Sequence, residues 1–345
     1  MAVITIYDIA RMAGVSPATV SRVLTKSTKV SDKKRILVEK LIDKYKFSPN
    51  AIARGLITGT KVIGVMTADI RNPYYAALAV ECEVAAAAMG YTVMLCNNLD
   101  GSSMDDAHLN KLFGQRVEAI IQLGRQTDDL VPDPAYVEHV KYISQTIPFI
   151  TNGKLEGVNY YSIGSDHFES VKIVMDYLIS LGHKDIAFIV GADDARGTIM
   201  KSQAYMELLK EYGLAFRKGY IQNASRYDLE DGYKCMKRLL ALKHRPTAVI
   251  TINDLIATGA MPVIFDNGLS IPDDISVVSY DNSFLTTISR PNLTSVDYNY
   301  VEQGKKLIET AILASQNKNP PKECLITPVL VIRDSCARPR FAAKK

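Results

Sequence analysis

The sequence predicts a short all-α segment followed by a large α/β region with two parallel sheets. The chain has 345 residues, more than the ~100 to 200 of an ordinary domain, so we expect two or three folded units. Apolar residues recur at helical spacing in residues 1–60, and beyond Lys61 short apolar runs alternate with amphipathic stretches. Since no apolar run approaches the ~18 residues of a membrane span, we expect a globular protein without a membrane partner.

Positive charge is confined to the N-terminal segment. Residues 1–60 hold 11 lysines and arginines against four acids, whereas the remaining chain holds 30 against 33. A localised basic segment is typical of proteins that bind the phosphate backbone, although many such clusters are only solvated surfaces. The five cysteines are widely spaced without a CxxC pair, which indicates reduced thiols. Since no basic, apolar export signal opens the chain, we expect a cytoplasmic protein.

Two short capped helices are predicted at the start of the chain. Their inward positions recur at helical spacing and comprise Ile6, Ile9, Ala10, Ala13, Val20, Val23 and Leu24. Thr5 suits the N-cap of the first helix, and Gly14 suits its left-handed end. Ser16 suits the N-cap of the second helix, which begins at Pro17. Two short helices joined by such a turn form a helix-turn-helix, whose second helix normally enters the major groove of DNA.

The outward face of the second helix is predicted to read bases. Its members are Pro17, Ala18, Thr19, Ser21, Arg22 and Thr25. Arg22 can form a bidentate hydrogen bond with guanine O6 and N7, whereas Ala18 offers only a methyl contact. Thr19 and Ser21 can reach phosphates.

A third helix is predicted to open at Ser31. Its inward positions are Val38, Leu41, Ile42 and Tyr45. Basic residues 33–35 crowd its first turn and oppose the helix macrodipole. A nearby phosphate would relieve that conflict, and solvent exposure would also tolerate it.

The run from Thr5 to Leu24, TIYDIARMAGVSPATVSRVL, resembles the signature of the LacI/GalR family of bacterial repressors. The similarity continues through FSPNAIARGL at 47–56, which resembles the hinge helix of the family, and extends to about residue 335. The resemblance implies that paired hinge helices lie in the minor groove and that Leu56 wedges into the central base step. The DNA-binding residues expected from the motif and the resemblance are Thr5, Tyr7, Ser16, Pro17, Ala18, Thr19, Ser21, Arg22, Asn50, Ala53, Arg54 and Leu56.

Strands and helices alternate through the remaining chain. Strands are predicted at 62–66, 92–96, 119–123, 148–150, 162–163, 186–190, 220–221, 248–252 and 276–280. Helices are predicted near 75–89, 103–114, 134–144, 167–181, 200–212, 229–242 and 255–267. Gly90, Gly182, Gly213 and Gly268 stand where helices should stop. This alternation predicts parallel sheets covered by helices on both faces.

The resemblance implies an all-α helix-turn-helix headpiece followed by a bilobed, periplasmic-binding-protein-like effector domain with two parallel sheets and three crossovers. The expected domains are a headpiece at 1–48, a hinge and linker at 49–60, and an effector-binding and dimerisation domain at 61–340. The crossovers are expected near 161, 290 and 322. Lobe 1 would then hold about 61–160 and 291–321, and lobe 2 about 161–290 and 322–340.

Candidate effector ligands lie at strand ends and in the loops that follow them, since ligands of such folds bind at the carboxyl ends of the strands. They are Asp69, Asn72, Tyr74, Tyr75, Arg196, Thr198, Lys201, Tyr227, Asn253 and Asp281. Asp281 aligns with an effector-contacting aspartate of the family, whereas Asp254 is expected to cap its helix. Carboxylates and amides suit sugar hydroxyls, and an aromatic ring such as that of Tyr75 or Tyr227 can cover an apolar ring face.

Lys201 departs from the family pattern. Many sugar- and purine-binding relatives have an arginine here, three residues before a glycine that Ala204 replaces. Lysine lacks the planar fork of arginine, so the ligand differs, Arg196 substitutes, or the pocket is weakly used. Some family members respond instead to the phosphorylated phosphocarrier protein HPr, which stays an open alternative.

The expected function is therefore a dimeric transcriptional regulator, most simply a repressor of carbohydrate metabolism genes, that binds a palindromic operator and senses a sugar-like effector. An enzyme is disfavoured because the chain has no GxSxG elbow, P-loop or HExxH motif, and no cofactor or metal site is expected. A sugar-binding transport protein would share the two lobes but would have no use for residues 1–56.

Overall fold

The computed structural model describes residues 4–24, 28–45, 47, 60–98 and 102–340. The chain divides into two compact units, Met1–Lys61 and Val62–Lys345, which are described separately below. The predicted hinge residues Asn50, Ala53, Arg54 and Leu56 lie outside the described residues, as does Thr25.

The described residues of the first unit contain three helices. They are α1 (Ile6–Ala13), α2 (Pro17–Leu24) and α3 (Asp32–Tyr45). Thr5 and Asp8 form a capping box at the start of α1, and Gly14 ends that helix in the left-handed conformation with φ 64°. Ile9, Val20 and Val38, one from each helix, are fully buried and form the centre of the core.

Tyr45 corrects one expectation for this unit. Its side chain was expected to face inward, but the residue is 38% exposed. It occupies the last position of α3, and the Lys44 ammonium lies 5.3 Å from its ring centroid. The inward positions of α3 are instead Val38, Leu41 and Ile42.

The first sheet of the larger unit contains the first five strands of that unit and one strand from near the end of the chain. The five are β1 (Val62–Thr67), β2 (Thr92–Asn97), β3 (Ala119–Leu123), β4 (Phe149–Thr151) and β5 (Tyr161–Ser165). The helices between them are α4 (Pro73–Ala88), α5 (Ser102–Gly114) and α6 (Pro134–Ile143). Ile63 and Val65 pack on one face of the sheet, and Met66 packs on the other, so both faces are covered.

The second sheet repeats this plan. Its strands are β6 (Ile186–Val190), β7 (Ile221–Asn223), β8 (Ala248–Thr251) and β9 (Ser276–Tyr280). Its helices are α7 (His167–Ser180), α8 (Arg196–Glu211), α9 (Leu229–Leu240), α10 (Asp254–Asp266) and α11 (Leu285–Ile288). Gly90, Gly182, Gly213 and Gly268 follow helices with positive φ, as predicted for helix ends.

Four late elements, which sequence periodicity did not predict, complete both sheets. They are β10 (Thr294–Asp297), α12 (Tyr300–Ser315), β11 (Glu323–Ile326) and β12 (Val329–Val331). The strand orders are β11-β5-β4-β3-β1-β2 and β12-β10-β9-β8-β6-β7. All pairs are parallel except β10 with β12. We call the first sheet with its helices lobe 1 and the second lobe 2.

The lobe boundaries differ from those expected near 161, 290 and 322. β5 pairs with β4 and β11, so the chain leaves lobe 1 after Ser165. β10 pairs with β9, so the chain leaves lobe 2 only after Asp297, and it crosses for the third time between Ile326 and Val329. Each expected boundary fell one strand too early, because a strand belongs to the sheet that satisfies its backbone hydrogen bonds. The three crossovers themselves are confirmed.

Two further features are the state of the cysteines and the length of the helices. All five cysteines are free thiols, and three of them, Cys82, Cys96 and Cys235, are buried. Among the described residues, each helix is too short or too polar to cross a membrane.

The contact between α9 and α10 gives a test of the packing. A Cβ added at Gly259 would lie 2.0 Å from the carbonyl oxygen of Leu229, so Gly259→Ala should lower the free energy of unfolding by about 1 to 3 kcal/mol. Gly114→Ala is the matched control, since its added Cβ meets no atom within 4 Å, and we expect a change below about 1 kcal/mol. Urea denaturation measures both, and equal losses would contradict the close approach.

Candidate DNA-binding surface and interlobe site

The solvent face of α2 carries the residues expected to read bases. Ala18 and Arg22 are exposed one turn apart, while Val20 and Val23 are buried against the core. The Ser16 hydroxyl accepts a hydrogen bond from the backbone N–H of Thr19 at 3.2 Å, which caps the helix as predicted. The buried and capped side of α2 thus fixes which side chains face outward.

Neighbouring predicted residues have different local roles. Tyr7 is 71% exposed, which leaves its ring available to a ligand. Thr5 donates a hydrogen bond to Asp8 at 2.7 Å, and the hydrogen bonds from Thr5 lower the pKa of that carboxyl. Pro17, Thr19 and Ser21 are half-buried on α2. The sequence-predicted helix face therefore exists, with Thr5 engaged in the cap of α1.

The two lobes of the larger unit meet at a cluster of tyrosines. The cluster contains Tyr74 and Tyr75 from the start of α4 together with Tyr298 and Tyr300, which flank the second crossover. The Tyr74 ring lies 5.0 Å from Tyr75, 5.8 Å from Tyr298 and 5.7 Å from Tyr300, measured between centroids. Burial raises the pKa of each of these hydroxyls, so all four remain protonated donors at neutral pH.

Lys201 projects into this cluster from α8. Its ammonium donates a hydrogen bond to the Tyr298 hydroxyl at 2.6 Å and lies 4.1 Å from the ring centroid of Tyr280. Burial lowers the pKa of Lys201 to about 8, and the carboxylates of Asp281 and Asp128 oppose that shift. Since Asp128 belongs to lobe 1 and Asp281 to lobe 2, the ammonium interacts with a carboxylate from each lobe.

Asp281 follows β9 and is buried beside Lys201. Burial raises the pKa of its carboxyl well above the usual range, Asp254 raises it further, and Lys201 lowers it. Its backbone has φ 98°, and its carbonyl oxygen accepts a hydrogen bond from the Tyr300 hydroxyl at 2.7 Å. The Asp281 carboxyl therefore lies close enough to Asp254 and Lys201 for both to influence its charge.

Asp254 corrects the expectation that it caps α10. The cap is Asn253, whose side chain accepts a hydrogen bond from the Ile256 N–H at 2.9 Å. Asp254 instead points into lobe 2, where its carboxylate accepts hydrogen bonds from the Ser283 N–H at 2.6 Å, from the Ser295 hydroxyl at 2.9 Å and from the Ser279 hydroxyl. Asn253 caps better because the N-cap residue has extended backbone, whereas Asp254 is already helical.

Not every predicted ligand converges on the cluster. Asp69 forms an ion pair with Arg71 at 2.8 Å, and Asn72 caps α4 through the Tyr74 N–H. Thr198 and Tyr227 join their hydroxyls at 3.1 Å near the start of α8. Arg196 lies 3.7 Å from Glu156, and its Nε is buried without a hydrogen-bond partner among the described residues.

Comparison with known proteins decides the family. The family model for bacterial regulatory proteins of the lacI family matches residues 5–50, and that for the periplasmic binding protein-like domain matches residues 175–336. The HTH-type transcriptional repressor PurR of Histophilus somni (strain 129Pt) is 33% identical over 335 residues, covering 96% of this chain and 98% of that protein. The chain belongs to the LacI family. It is a DNA-binding transcriptional repressor rather than an enzyme.

Other LacI-family proteins extend the likeness. Catabolite control protein A of Priestia megaterium is 33% identical over 297 residues, covering 85% of this chain and 87% of that protein. The lac repressor dimer bound to operator and the anti-inducer ONPF has the same fold, with a TM-score of 0.86 at 24% identity over 97% of this chain and 99% of that one. A CelR complex with cellobiose matches with a TM-score of 0.71 at 24% identity, over 96% and 99% of the two chains.

Sequence reasoning missed three residues of this LacI-family site, namely Asp128, Asn152 and Tyr298. The Asp128 carboxylate accepts a hydrogen bond from the Tyr75 hydroxyl at 3.1 Å. Burial raises the pKa of Asp128 to about 6, although this hydrogen bond acts to lower it. The Asn152 amide donates to the Tyr74 hydroxyl at 3.1 Å. Asn152 and Tyr298 each directly follow a strand, so the strand-end rule would have found both had it been applied to β4 and β10.

His167 is a half-buried residue that the sequence did not single out. Burial lowers the pKa of its imidazole to about 4, and Lys201 lowers it further. Its Nδ1 is buried without a hydrogen-bond partner among the described residues. The imidazole is therefore neutral at pH 7.

Lys201 predicts a pH dependence of stability. Because its pKa is about 8 in the folded chain and 10.5 ordinarily, the unfolded chain binds more protons between these values, and stability rises with pH there. The unfolding free energy of the unmodified protein, minus that of Lys201→Met, should therefore increase by about 1 kcal/mol per pH unit from pH 8 to 10.

Chemical denaturation at several pH values measures this difference. Lys210→Met is the matched control, since Lys210 is exposed on the same helix. Parallel stability curves for the unmodified protein and Lys201→Met would contradict the assigned burial of the ammonium.

Proposed function

We propose that this repressor binds a palindromic operator as a dimer in the cytoplasm and that a small, sugar-like effector at the interlobe site modulates its operator affinity. Its targets would be genes of carbohydrate metabolism. The observation that carries the DNA-reading part is the exposed face of capped helix α2, which presents Ala18 and Arg22 while the opposite face is buried. The observation that carries the effector part is the convergence of polar side chains from both lobes on one partly buried cluster.

Base reading would depend chiefly on Arg22. A guanidinium forms two parallel hydrogen bonds with guanine O6 and N7, and such a pair contributes roughly 1 to 3 kcal/mol of discrimination. Ala18 would contact a thymine methyl group, and Thr19 and Ser21 would bind phosphates. The residues at 50–56 lie outside the described residues, so their insertion into the minor groove stays a prediction from the family resemblance.

A dimer would set the symmetry of the operator. Two copies related by a twofold axis place their α2 helices on successive half-sites, which requires a palindrome. Exposed apolar side chains on lobe 1 support a second copy as the partner, since Val80 and Val84 on α4 are 54% and 59% exposed and Leu325 on β11 is 64% exposed. The lac repressor with this fold is itself described as a dimer on its operator.

The chemistry of the interlobe site supports a sugar-like effector. Asp128 and Asp281 are acceptors for hydroxyl groups, Asn152 offers an amide, and the tyrosine rings can cover the apolar face of a pyranose. The CelR structure with the same fold is a complex with cellobiose, which supports the same class of ligand here.

A regulator controlled by phosphorylated HPr is the second candidate. Lys201 favours this candidate. It stands where many relatives have an arginine, it lacks the planar fork of arginine, and its ammonium is engaged with Tyr298 and Tyr280. A pocket that is weakly used by small molecules would suit control by a partner protein. The two candidates differ in which addition shifts operator affinity, a small molecule or the phosphoprotein.

In either case the signal would act through lobe arrangement. A change in the angle between the lobes alters the separation of the two 50–56 segments of a dimer, and so the formation of hinge helices on DNA. A coupling of ~1 to 3 kcal/mol between effector and operator would change affinity by ~5 to 150-fold. Whether the effector releases or recruits DNA depends on which lobe arrangement it binds better.

Arg22→Ala tests the DNA-reading surface. We expect loss of preference for an operator selected from random oligonucleotides, while salt-dependent binding to random DNA persists, because Arg22 reads bases and other cations bind phosphates. Lys40→Ala is the control, since Lys40 is exposed on α3. Fluorescence anisotropy on both DNAs is the measurement, and equal loss on selected and random DNA would remove Arg22 from the base-reading role.

Asp281→Asn tests the effector site. A thermal-shift screen of sugars, sugar phosphates and nucleosides first identifies a ligand, since binding to the folded state raises the melting temperature. The variant should keep operator affinity within about twofold and lose most of the effector-induced change, because the amide replaces an acceptor for ligand hydroxyls. Asp266→Asn, exposed at the end of α10, is the control. An unaltered response in Asp281→Asn would exclude the residue from the site.

A further inference from the structure

A groove runs along α8 in lobe 2, between this helix and the edge strand β7. Its volume is about 310 Å³, at the lower end of the range for small-molecule pockets. We call it the α8 groove, and the lining residues that define it are Val190, Asp193, Ile199, Met206, Ile221 and Asn223. Because all of them belong to lobe 2, the shape of the groove does not depend on how the two lobes are arranged.

The walls of the α8 groove are apolar along two turns of the helix. Val190 ends β6 and is buried, and Ile221 begins the neighbouring strand β7. Ile199 and Met206 lie on α8, seven residues or roughly 10 Å apart along the helix. Met206 is 43% exposed, and methionine side chains adapt to ligands of irregular shape. A ligand in the groove would therefore meet an elongated apolar surface.

One end of the α8 groove is polar. Asp193 follows β6 and Asn223 ends β7, so both lie at the carboxyl ends of paired parallel strands. The Asn223 amide donates a hydrogen bond to the Asp193 carboxylate, and both residues are exposed. Since a carboxylate has about four acceptor sites, one amide donor leaves sites for a donor group of a ligand.

The charge of the α8 groove is negative. In the part of the chain that the structure describes, Asp193 is the only charged residue among those that line it, and the further lining residues Thr198, Ser202 and Gln203 are neutral. The adjacent Asp194 is also exposed and adds a second carboxylate beside the polar end. A cationic hydrogen-bond donor is the complement of this end, because hydrogen bonds between ionised partners are the strong ones.

The α8 groove adjoins the interlobe site but has its own walls. Thr198 lines the groove, and its hydroxyl lies 3.1 Å from that of Tyr227. Lys201, on the same helix, instead extends its ammonium to the Tyr298 hydroxyl. A ligand of the groove would thus bind to the helix that also carries residues of the interlobe site.

We propose that the α8 groove binds a small organic cation with an apolar chain. The ammonium group of the ligand contacts the Asp193 carboxylate, and its chain lies against Ile199, Ile221 and Met206. This site is separate from the interlobe site and does not depend on the class of the effector.

Methyl NMR of the full chain, labelled with ¹³C at the methionine methyl groups, tests the proposal. The probe is n-hexylammonium, which is charged at pH 7, and the Met206 signal is assigned with Met206→Leu. We expect a saturable shift of the Met206 methyl signal. Met200 is the internal control, because it is 41% exposed on the same helix but does not line the groove. Equal shifts at Met200 and Met206, or no shift at either, would overturn the proposal.

Asp193→Asn tests the contact with the ammonium group. It should weaken the binding of n-hexylammonium about two- to fivefold, as expected for an exposed ion pair, and leave the binding of 1-hexanol unchanged. Asp194→Asn is the matched control, since Asp194 is the exposed neighbour that does not line the groove. Equal losses in the two variants, or binding of 1-hexanol as tight as that of n-hexylammonium, would exclude a cation held by Asp193.

The interlobe site is tested separately with Asp281→Asn. We expect n-hexylammonium to shift the Met206 signal in this variant as it does in the unmodified protein, because Asp281 does not line the groove. Loss of the shift would place the probe in the interlobe site and overturn the proposal. The experiment needs neither DNA nor a known effector, so its outcome does not depend on the proposed regulator function.

Discussion

Strand pairing between distant parts of the chain is the constraint on which both lobes depend. Lobe 1 is completed by β11 beside β5, and lobe 2 by β10 and β12. Because each sheet takes strands from both sides of a crossover, three chain segments connect the lobes instead of one linker. Three links restrict relative motion more than a single linker would, which suits hinge-like motion of one lobe against the other.

The interlobe site follows from this arrangement through the chemistry of buried charge. Asp281 and Lys201 are buried and Asp128 is half-buried, so an unpaired charge at these positions is costly. The ammonium reduces that cost by attraction to both carboxyl groups and by lying over the Tyr280 ring, and it donates a hydrogen bond to the Tyr298 hydroxyl. Asp254 is stabilised differently, by hydroxyl and backbone donors within lobe 2.

Local signals in the sequence predicted most helices and strands, because these signals reflect interactions between residues close together in the chain. Thr5, Gly14 and Ser16 marked helix ends correctly, since caps depend on a few adjacent residues. The strands at 294–297, 323–326 and 329–331 were not predicted by periodicity, because strands this short are defined by distant partners. The site was predicted only in part for the same reason. Asp128 lies five residues beyond β3, and only the fold shows that it meets Tyr75 from α4.

The late position of the closing strands has a consequence for synthesis on the ribosome. The headpiece takes its core entirely from residues before Lys61, so it can fold as soon as that segment emerges. Both lobes must wait until the strands at 323–331 have been made, and until then β5 and β10 keep unpaired edges. A chain released before that point would combine a folded DNA-binding headpiece with two incomplete sheets whose exposed edges favour aggregation. Premature termination would therefore give an aggregation-prone protein that still carries the headpiece.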